Sequence, residues 1–372
     1  MSEHKMKILI SGGGTGGHIF PALAIAKEIQ RMHPKAEFLF VGARGRMEME
    51  KVPAAGFKIE GLNISGLQRN LTLKNLSFPF KLLSSLMRAR KIIKKFKPDV
   101  VVGTGGYASG PTLRMASSRG VPTLIQEQNS FPGITNKLLA KKADKICVAY
   151  ENMEKYFPAS KIVITGNPIR SDIFSENIGK TQALKQFDLE DDKKPVLLVI
   201  GGSQGAKAIN EAIDAGLKKL QQNNIHLIWQ TGKIYDQLAQ QRLSEGGFAW
   251  ATALPFIDRM DMAYAAADLV VSRAGAIAIS EICALGKPAI FVPLPTAAED
   301  HQTKNAQALV DKKAALLVRN NEAKDILVNK IVELAENKKQ RDTFSTNMKK
   351  MARTDAAHKI AQEVLALIKD KK

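Results

Sequence analysis

One arrangement constrains the fold more than any other, and the chain carries it twice. A short apolar run is followed by a turn built almost wholly of glycine, and then by helical periodicity. The first copy is Lys7-Ile-Leu-Ile-Ser11, then Gly12-Gly-Gly-Thr-Gly-Gly17, then a helical pattern from about His18 to Met32. The second is Pro195-Val-Leu-Leu-Val-Ile200, then Gly201-Gly-Ser-Gln-Gly205, with a helix from Ala206 onward. Short apolar runs of this kind read as buried strands. Further strands are expected at Glu37–Val41, Asp99–Gly103, Thr123–Gln126 and Lys145–Val148, and again at Ile225–Gln230, Asp268–Ser272 and Ala289–Pro293. Strands alternating with helices imply parallel βαβ units. The expectation is an α/β chain of two doubly wound halves.

A length of 372 residues exceeds one ordinary core and suits two domains. No apolar run approaches the ~18–20 residues of a membrane span. Ile8-Leu9-Ile10 passes straight into glycines, so a signal peptide is not expected and a cytoplasmic protein is. Cys147 and Cys283 are the only cysteines and both sit in apolar segments, which fits buried core residues and no disulfide framework.

The net charge of +19 is the unusual bulk property. It permits nucleic acid, anionic membrane or a phosphorylated substrate as partner. The distribution separates these. Between Glu60 and Asp99 there is no acid, while Arg69, Lys74, Lys81, Arg88, Arg90, Lys91, Lys94, Lys95 and Lys97 fall in the same stretch. Leu76, Phe78, Phe80, Leu82, Leu83 and Leu86 interleave with them. Core helices usually carry acids as well as bases on the wet face. An apolar stripe ringed by cations alone suits an anionic bilayer. Residues 69–97 are therefore the expected membrane face. No zinc-finger, RRM or KH signature supports nucleic acid.

Gly12-x-Gly14-x-x-Gly17 matches the dinucleotide fingerprint, but Val41 is followed by Gly42-Ala43-Arg44, with no acid to hold a ribose. The turn is better read as a place where a polar substrate approaches the backbone. His18 stands where this turn becomes a helix, and an imidazole there suits a general base. Gly103-Thr-Gly-Gly-Tyr-Ala-Ser-Gly-Pro111 and Glu127-Gln-Asn129 add two more polar strand ends. In the second half, Gly201–Gly205 offers a nest of amides with a hydroxyl at Ser203, suited to a diphosphate. Ser272-Arg-Ala-Gly275 leads into a helix that carries Glu281, a carboxylate able to bind both ribose hydroxyls. Glu299-Asp-His-Gln302-x-x-Asn305 forms a further polar loop. The six histidines are scattered and no Asp-x-Asp follows a strand, so no metal or other cofactor is expected and Arg170 is a candidate to neutralise a leaving diphosphate.

Taken together, these motifs resemble the MurG family of bacterial glycosyltransferases. The resemblance runs through Gly13–Ala22, Gly105-Gly-Tyr107, Glu127–Asn129, Gly166-Asn-Pro168, Gly201–Gly205, Ser272–Gly275 and Asp300–Asn305. It implies the GT-B fold, two Rossmann-like domains with the active site in the cleft between them. It also implies transfer of N-acetylglucosamine from UDP-N-acetylglucosamine to lipid I, giving lipid II with inversion at the anomeric carbon. Residues 1–167 would hold the lipid acceptor, joined by the C-terminal segment 350–372, and residues 168–349 would hold the donor. Thr15, Gly16, Gly17 and Asn129 would face the donor sugar, and Arg170 and Ser203 the diphosphate. Ile257 would contact uracil. Ala276, Ile277, Ala278, Ile279, Ser280 and Glu281 would wrap the nucleotide, with Glu281 on the ribose, and Gln302 would bind the sugar. His18 is the first candidate for the base and Glu127 the second. The enzyme would work at the cytoplasmic face of the plasma membrane. One position departs from the family: a histidine commonly precedes Glu-Gln-Asn, and here it is Gln126. A related transferase using another lipid acceptor, such as diacylglycerol, is the alternative.

Overall fold

The computed structural model describes residues 5–64, 78–174, 178–190, 193–202, 204–297 and 300–369. It divides into two compact units, residues 1–170 with 353–372, and residues 171–352. The division falls three residues later than the boundary at 167 implied by the resemblance, and Arg170 goes with the first unit.

The first unit runs β1 (Lys7–Gly12), α1 (Gly16–Met32), β2 (Glu37–Ala43), α2 (Glu48–Ala54), β3 (Ile59–Leu62), α3 (Phe78–Phe96), β4 (Val100–Gly105), α4 (Ser109–Ser117), β5 (Thr123–Glu127), α5 (Ile134–Ala140), β6 (Lys145–Val148) and β7 (Ile162–Ile164). Its seven strands are parallel, in the order β3-β2-β1-β4-β5-β6-β7. In β1, Ile8 and Ile10 face one core and Leu9 the opposite one, so the strand is apolar without a break because both its faces are covered.

The second unit runs α6 (Lys180–Lys185), β8 (Val196–Ile200), α7 (Lys207–Gln222), β9 (His226–Gln230), α8 (Asp236–Glu245), β10 (Ala251–Leu254), α9 (Met260–Ala266), β11 (Leu269–Ser272), α10 (Ala276–Leu285), β12 (Ala289–Phe291), α11 (His301–Asp311), β13 (Ala315–Leu317), α12 (Ala323–Glu336) and α13 (Lys338–Met351). Its parallel sheet has the order β10-β9-β8-β11-β12-β13. The chain then re-enters the first unit as α14 (Ala356–Lys369), which packs on α1. Ile360, Ala361, Val364, Leu365, Leu367 and Ile368 join the core of Ile8, Ile10 and Ile25. Each large aliphatic side chain so buried contributes about 1.5–3 kcal/mol before entropy is counted.

Both sheets reverse their strand order beside their first strand, between β1 and β4 and between β8 and β11. Ligands of open α/β sheets bind at the carboxyl ends of such strand pairs. Both glycine turns lie there. The chain thus has the GT-B composition of two Rossmann-like units. Among the described residues no helix is long and apolar enough to cross a membrane. Cys147 and Cys283 are buried and unpaired, and burial pushes both thiols up, that of Cys283 to about 12.

Candidate functional site

The first site gathers the ends of β1, β4 and β5. The Gly12–Gly17 turn and the Gly103–Gly106 turn lie against one another. A Cβ on Gly106, whose φ is +85°, would stand 2.2 Å from the carbonyl oxygen of Gly13. Only glycine fits that approach. His18 sits in the first turn of α1, half-buried. Its Nδ1 is 2.9 Å from the carbonyl oxygen of Thr104 and 3.1 Å from Oε1 of Gln128. Both neighbours are acceptors, so Nδ1 carries the proton and Nε2 keeps a lone pair. That tautomer can take a proton from a substrate hydroxyl. The Thr104 hydroxyl also donates to the carbonyl of His18, at 2.8 Å, which fixes the helix start against β4.

Behind His18 runs a chain of neutral amides. Gln128 Nε2 donates to the carbonyl of Thr104 and to Oε1 of Gln126. Gln126 Nε2 donates to Asn167 Oδ1 at 3.2 Å, and Asn167 Nδ2 donates back to the carbonyl of Gln128 at 3.1 Å. Where the family commonly has a histidine, this chain has an amide that orients and does not titrate.

Glu127 is buried, with its carboxylate already occupied. Oε1 accepts from the backbone N–H and side chain of Asn129, and Oε2 accepts from the N–H of Gly133 and from Asn136 at 2.8 Å. Four donors make it the anchor of the 127–133 loop, and this counts against a role as base. Asn129 is held in turn. Thr15 and Gly17 are exposed and Gly16 half-buried, with the Thr15 carbonyl receiving the N–H groups of His18 and Ile19. Arg170 places its guanidinium over the ring of Phe20 on α1, 5.3 Å from the centroid.

Motif reading missed Glu48. This fully buried carboxylate at the start of α2 accepts the N–H of Gly14 at 3.0 Å and that of Ala43 at 2.9 Å. A Cβ on Gly13 would come within 2.1 Å of Glu48 Oε1, and one on Gly42 within 2.5 Å of its Cγ. The glycine at each position makes room for the acid that shapes the turn. The only sequence signal is the acid itself, placed after two positions that need glycine.

The second site gathers the ends of β8, β9 and β11. Glu281 on α10 is buried, and the Tyr264 hydroxyl lies 3.3 Å from its Oε2. The N-cap of α10 is Gly275, in extended backbone conformation. Ala276, Ile277 and Ile279 are buried, as Glu281 is. Ala278 and Ser280 are half-buried, with the Ser280 hydroxyl donating to the carbonyl of Ala276. The Ile257 side chain is also buried, and in the expected uracil contact its backbone would be the part offered to the base. Gln302 accepts the N–H of Leu294 at 2.9 Å and so fixes the loop before α11. Arg273 donates to the carbonyls of Val292 and Pro293 and to Asn320, tying β11 to the loop after β12, and burial brings its guanidinium down to about 10. Ser203 and Glu299 lie outside the described residues, as do Arg69, Lys74 and Leu76. Among the described residues no cluster of three or more His, Cys, Asp or Glu is arranged to hold a metal.

Comparison with known proteins identifies the family of both units. Residues 8–148 match the glycosyltransferase family 28 N-terminal domain and residues 196–363 the glycosyltransferase family 28 C-terminal domain. The chain is 54% identical over 366 residues to a Phocaeicola vulgatus protein, covering 98% of this chain and 97% of that one. That relative is named UDP-N-acetylglucosamine--N-acetylmuramyl-(pentapeptide) pyrophosphoryl-undecaprenol N-acetylglucosamine transferase. The crystal structure of Acinetobacter baumannii MurG superimposes with a TM-score of 0.74 at 31% identity, covering 97% of this chain and 99% of that one. A UDP-GlcNAc 2-epimerase from Neisseria meningitidis, bound to UDP-GlcNAc, reaches 0.68 over 97% of this chain and all of its own, but at 16% identity it shares the fold alone. The chain belongs to the MurG family of glycosyltransferase family 28.

Proposed function

We propose that this chain transfers N-acetylglucosamine from UDP-N-acetylglucosamine to the undecaprenyl-diphosphate-linked muramyl pentapeptide, lipid I. The observation that carries the reading is identity above half, over nearly the whole length, to a relative named for that transfer. In the proposed step the muramyl 4-hydroxyl oxygen attacks the anomeric carbon from the face opposite the diphosphate. The new C–O bond forms as the bond to the β-phosphate oxygen breaks, and UDP leaves with that electron pair. His18 Nε2 takes the hydroxyl proton. The bonds from His18 Nδ1 to Thr104 and Gln128 support this assignment, because they leave Nε2 as the acceptor. Glu281 would hold the ribose, and the Gly201–Gly205 turn with the α10 N-terminus would meet the diphosphate. Donor binding is proposed to need no divalent ion. Incubation with UDP-N-acetylglucosamine and a lipid I analogue should yield the disaccharide product and UDP, with donor binding unchanged by EDTA. No product, or strict dependence of UDP binding on a divalent ion, contradicts the reading.

The acceptor is membrane-bound, and α3 supports docking at the cytoplasmic face of an anionic membrane. Ser85, Ala89, Ile92 and Ile93 face the core, while Phe80, Leu83 and Met87 are 76%, 57% and 61% exposed. The helix is thus a core helix on one side and an unpartnered apolar stripe on another. Arg90, Lys91, Lys94 and Lys95 are exposed beside it, and Arg88 pairs with Glu60. On α5, Ile134 and Leu138 are each 77% exposed, near exposed Lys141 and Lys142. Cations near such a surface contribute about 1 kcal/mol each. Vesicles containing phosphatidylglycerol should bind the protein, less so as salt rises. Phe80→Ser with Leu83→Ser should weaken that binding severalfold and leave UDP affinity intact. Unaltered vesicle binding by this variant would remove α3 as the docking face.

A further inference from the structure

The Gly201–Gly205 turn is shaped from beneath by the end of β9. The turn closes on itself through the Gly205 N–H donating to the Gly202 carbonyl, at 3.0 Å. A Cβ on Gly205, whose φ is +76°, would stand 2.1 Å from the carbonyl oxygen of Thr231. Residues 231–232 are fixed in turn. Asn210 on α7 donates to the Thr231 carbonyl at 2.7 Å and accepts from the Trp229 indole N–H at 3.0 Å.

Between these lies Gln230, 3% exposed, at the last position of β9. Its Nε2 donates to the carbonyl of Gly202 at 3.0 Å. Its Oε1 accepts the backbone N–H of Ile257 at 3.0 Å. One planar amide therefore touches both the turn assigned to the diphosphate and the backbone assigned to the base. Its two ends cannot move independently. A buried amide of this kind is costly to desolvate unless both ends are paired, and here both are.

We propose that Gln230 is a positioning residue of the donor site, holding the diphosphate turn and the base-reading backbone at Ile257 at a fixed separation. This rests on the donor assignment of the second unit. The residue does not itself touch the nucleotide. It sets the distance between two subsites, and so acts on ligands that occupy both. UDP spans them, whereas uridine occupies only the base and ribose end.

The test measures UDP and uridine affinities by calorimetry for the parent, Gln230→Glu and Gln230→Met. The glutamate keeps an acceptor for the Ile257 N–H but sets an oxygen against the Gly202 carbonyl. Methionine, of similar length, loses both bonds. Gln230→Glu should weaken UDP about tenfold while uridine changes less than twofold, so the preference for UDP over uridine contracts. Gln230→Met should weaken both ligands. Circular dichroism and thermal melting establish that each variant is folded at the temperature of titration. If Gln230→Glu does not fold, the methionine variant decides alone, by whether both affinities fall. A merely structural residue would lower the melting temperature and leave the UDP-to-uridine ratio of Gln230→Glu as in the parent. That outcome, or parental affinities in Gln230→Met, overturns the proposal. If the parent itself fails to bind UDP, the donor assignment falls, and with it the ground for this one.

Discussion

The two glycine turns occupy the same place in two similar sheets, yet they are braced in different ways. The turn after β1 rests on a buried carboxylate, Glu48, and delivers an imidazole at its far end. The turn after β8 is braced by amides, with Gln230 donating to Gly202 and Asn210 holding Thr231 beneath Gly205. On the proposed function the first would present a proton acceptor to a substrate. The second presents backbone donors at fixed spacing, with the carboxylate of Glu281 one helix away. On the proposed function, a repeated supersecondary unit would serve chemistry in one copy and recognition in the other, the difference lying in the side chains beneath and beside the glycines.

The largest expected effect falls on the first turn. His18→Ala should lower turnover about 10²–10⁴-fold, the usual contribution of a positioned base. His18→Asn, whose amide can replace the Nδ1 bonds but cannot accept a proton as imidazole does, should be nearly as impaired. A loss below tenfold in both would make His18 structural and dissolve the contrast.

Next comes the second turn's carboxylate. Glu281→Ala removes a buried charged acceptor for ribose hydroxyls, and UDP affinity should fall roughly ten- to a hundredfold. Unchanged affinity in a titration would take the ribose away from Glu281.

Glu48→Gln sharpens the comparison from below. One acceptor oxygen becomes an N–H₂ that faces either Gly14 or Ala43 as a donor. The turn should shift, and turnover should drop about tenfold with little change in UDP affinity, since small misplacements near a reacting atom are costly. Equal losses in turnover and in UDP affinity would mean that the variant is globally damaged.

The smallest effect concerns α14, which closes the first unit by packing on α1. Glu28 on α1 sits between Arg31 and His358 of α14, with Oε1 2.7 Å from His358 Nδ1. Arg31 chiefly, with His358, holds the Glu28 carboxyl below its ordinary 4.5. A lowered carboxyl stabilises the fold fully above that ordinary value, and the benefit fades as pH falls through the lowered one. Glu28→Gln should cost at most about 1 kcal/mol near neutral pH, because the cluster is partly exposed. Urea midpoints of parent and variant should converge below pH 4.5. A gap that persists there would place the effect in packing.

Much of this was legible from residues alone, and what was not has a common cause. Central strands such as Val196–Ile200 are apolar on both faces and announce themselves. The four strands that pattern reading missed, β3, β7, β10 and β13, are the outer strands of the two sheets. They are three or four residues long, and Ile-Glu-Gly-Leu62 or Ala-Thr-Ala-Leu254 carries little periodicity because one edge has no neighbour to select for it. The glycine turns, His18 and Glu281 stood out by residue type and position. Glu48 and Gln230 did not, because their partners are backbone groups brought near by the sheet, and a lone acid or amide in a sequence names no partner. Glu127 stood out by residue type as well. Its acid suggested a base, while the four donors around it come from a loop that only the folded chain assembles.

The division of labour between the two turns is tested most directly by measuring His18→Ala and Glu281→Ala side by side. Each is assayed for UDP affinity and for the single-turnover rate of N-acetylglucosamine transfer at saturating donor. The account predicts a crossed result: His18→Ala keeps its affinity and loses its rate, and Glu281→Ala loses affinity and recovers most of its rate once donor saturates. If both variants lose the same quantity, the two turns do not divide chemistry from recognition.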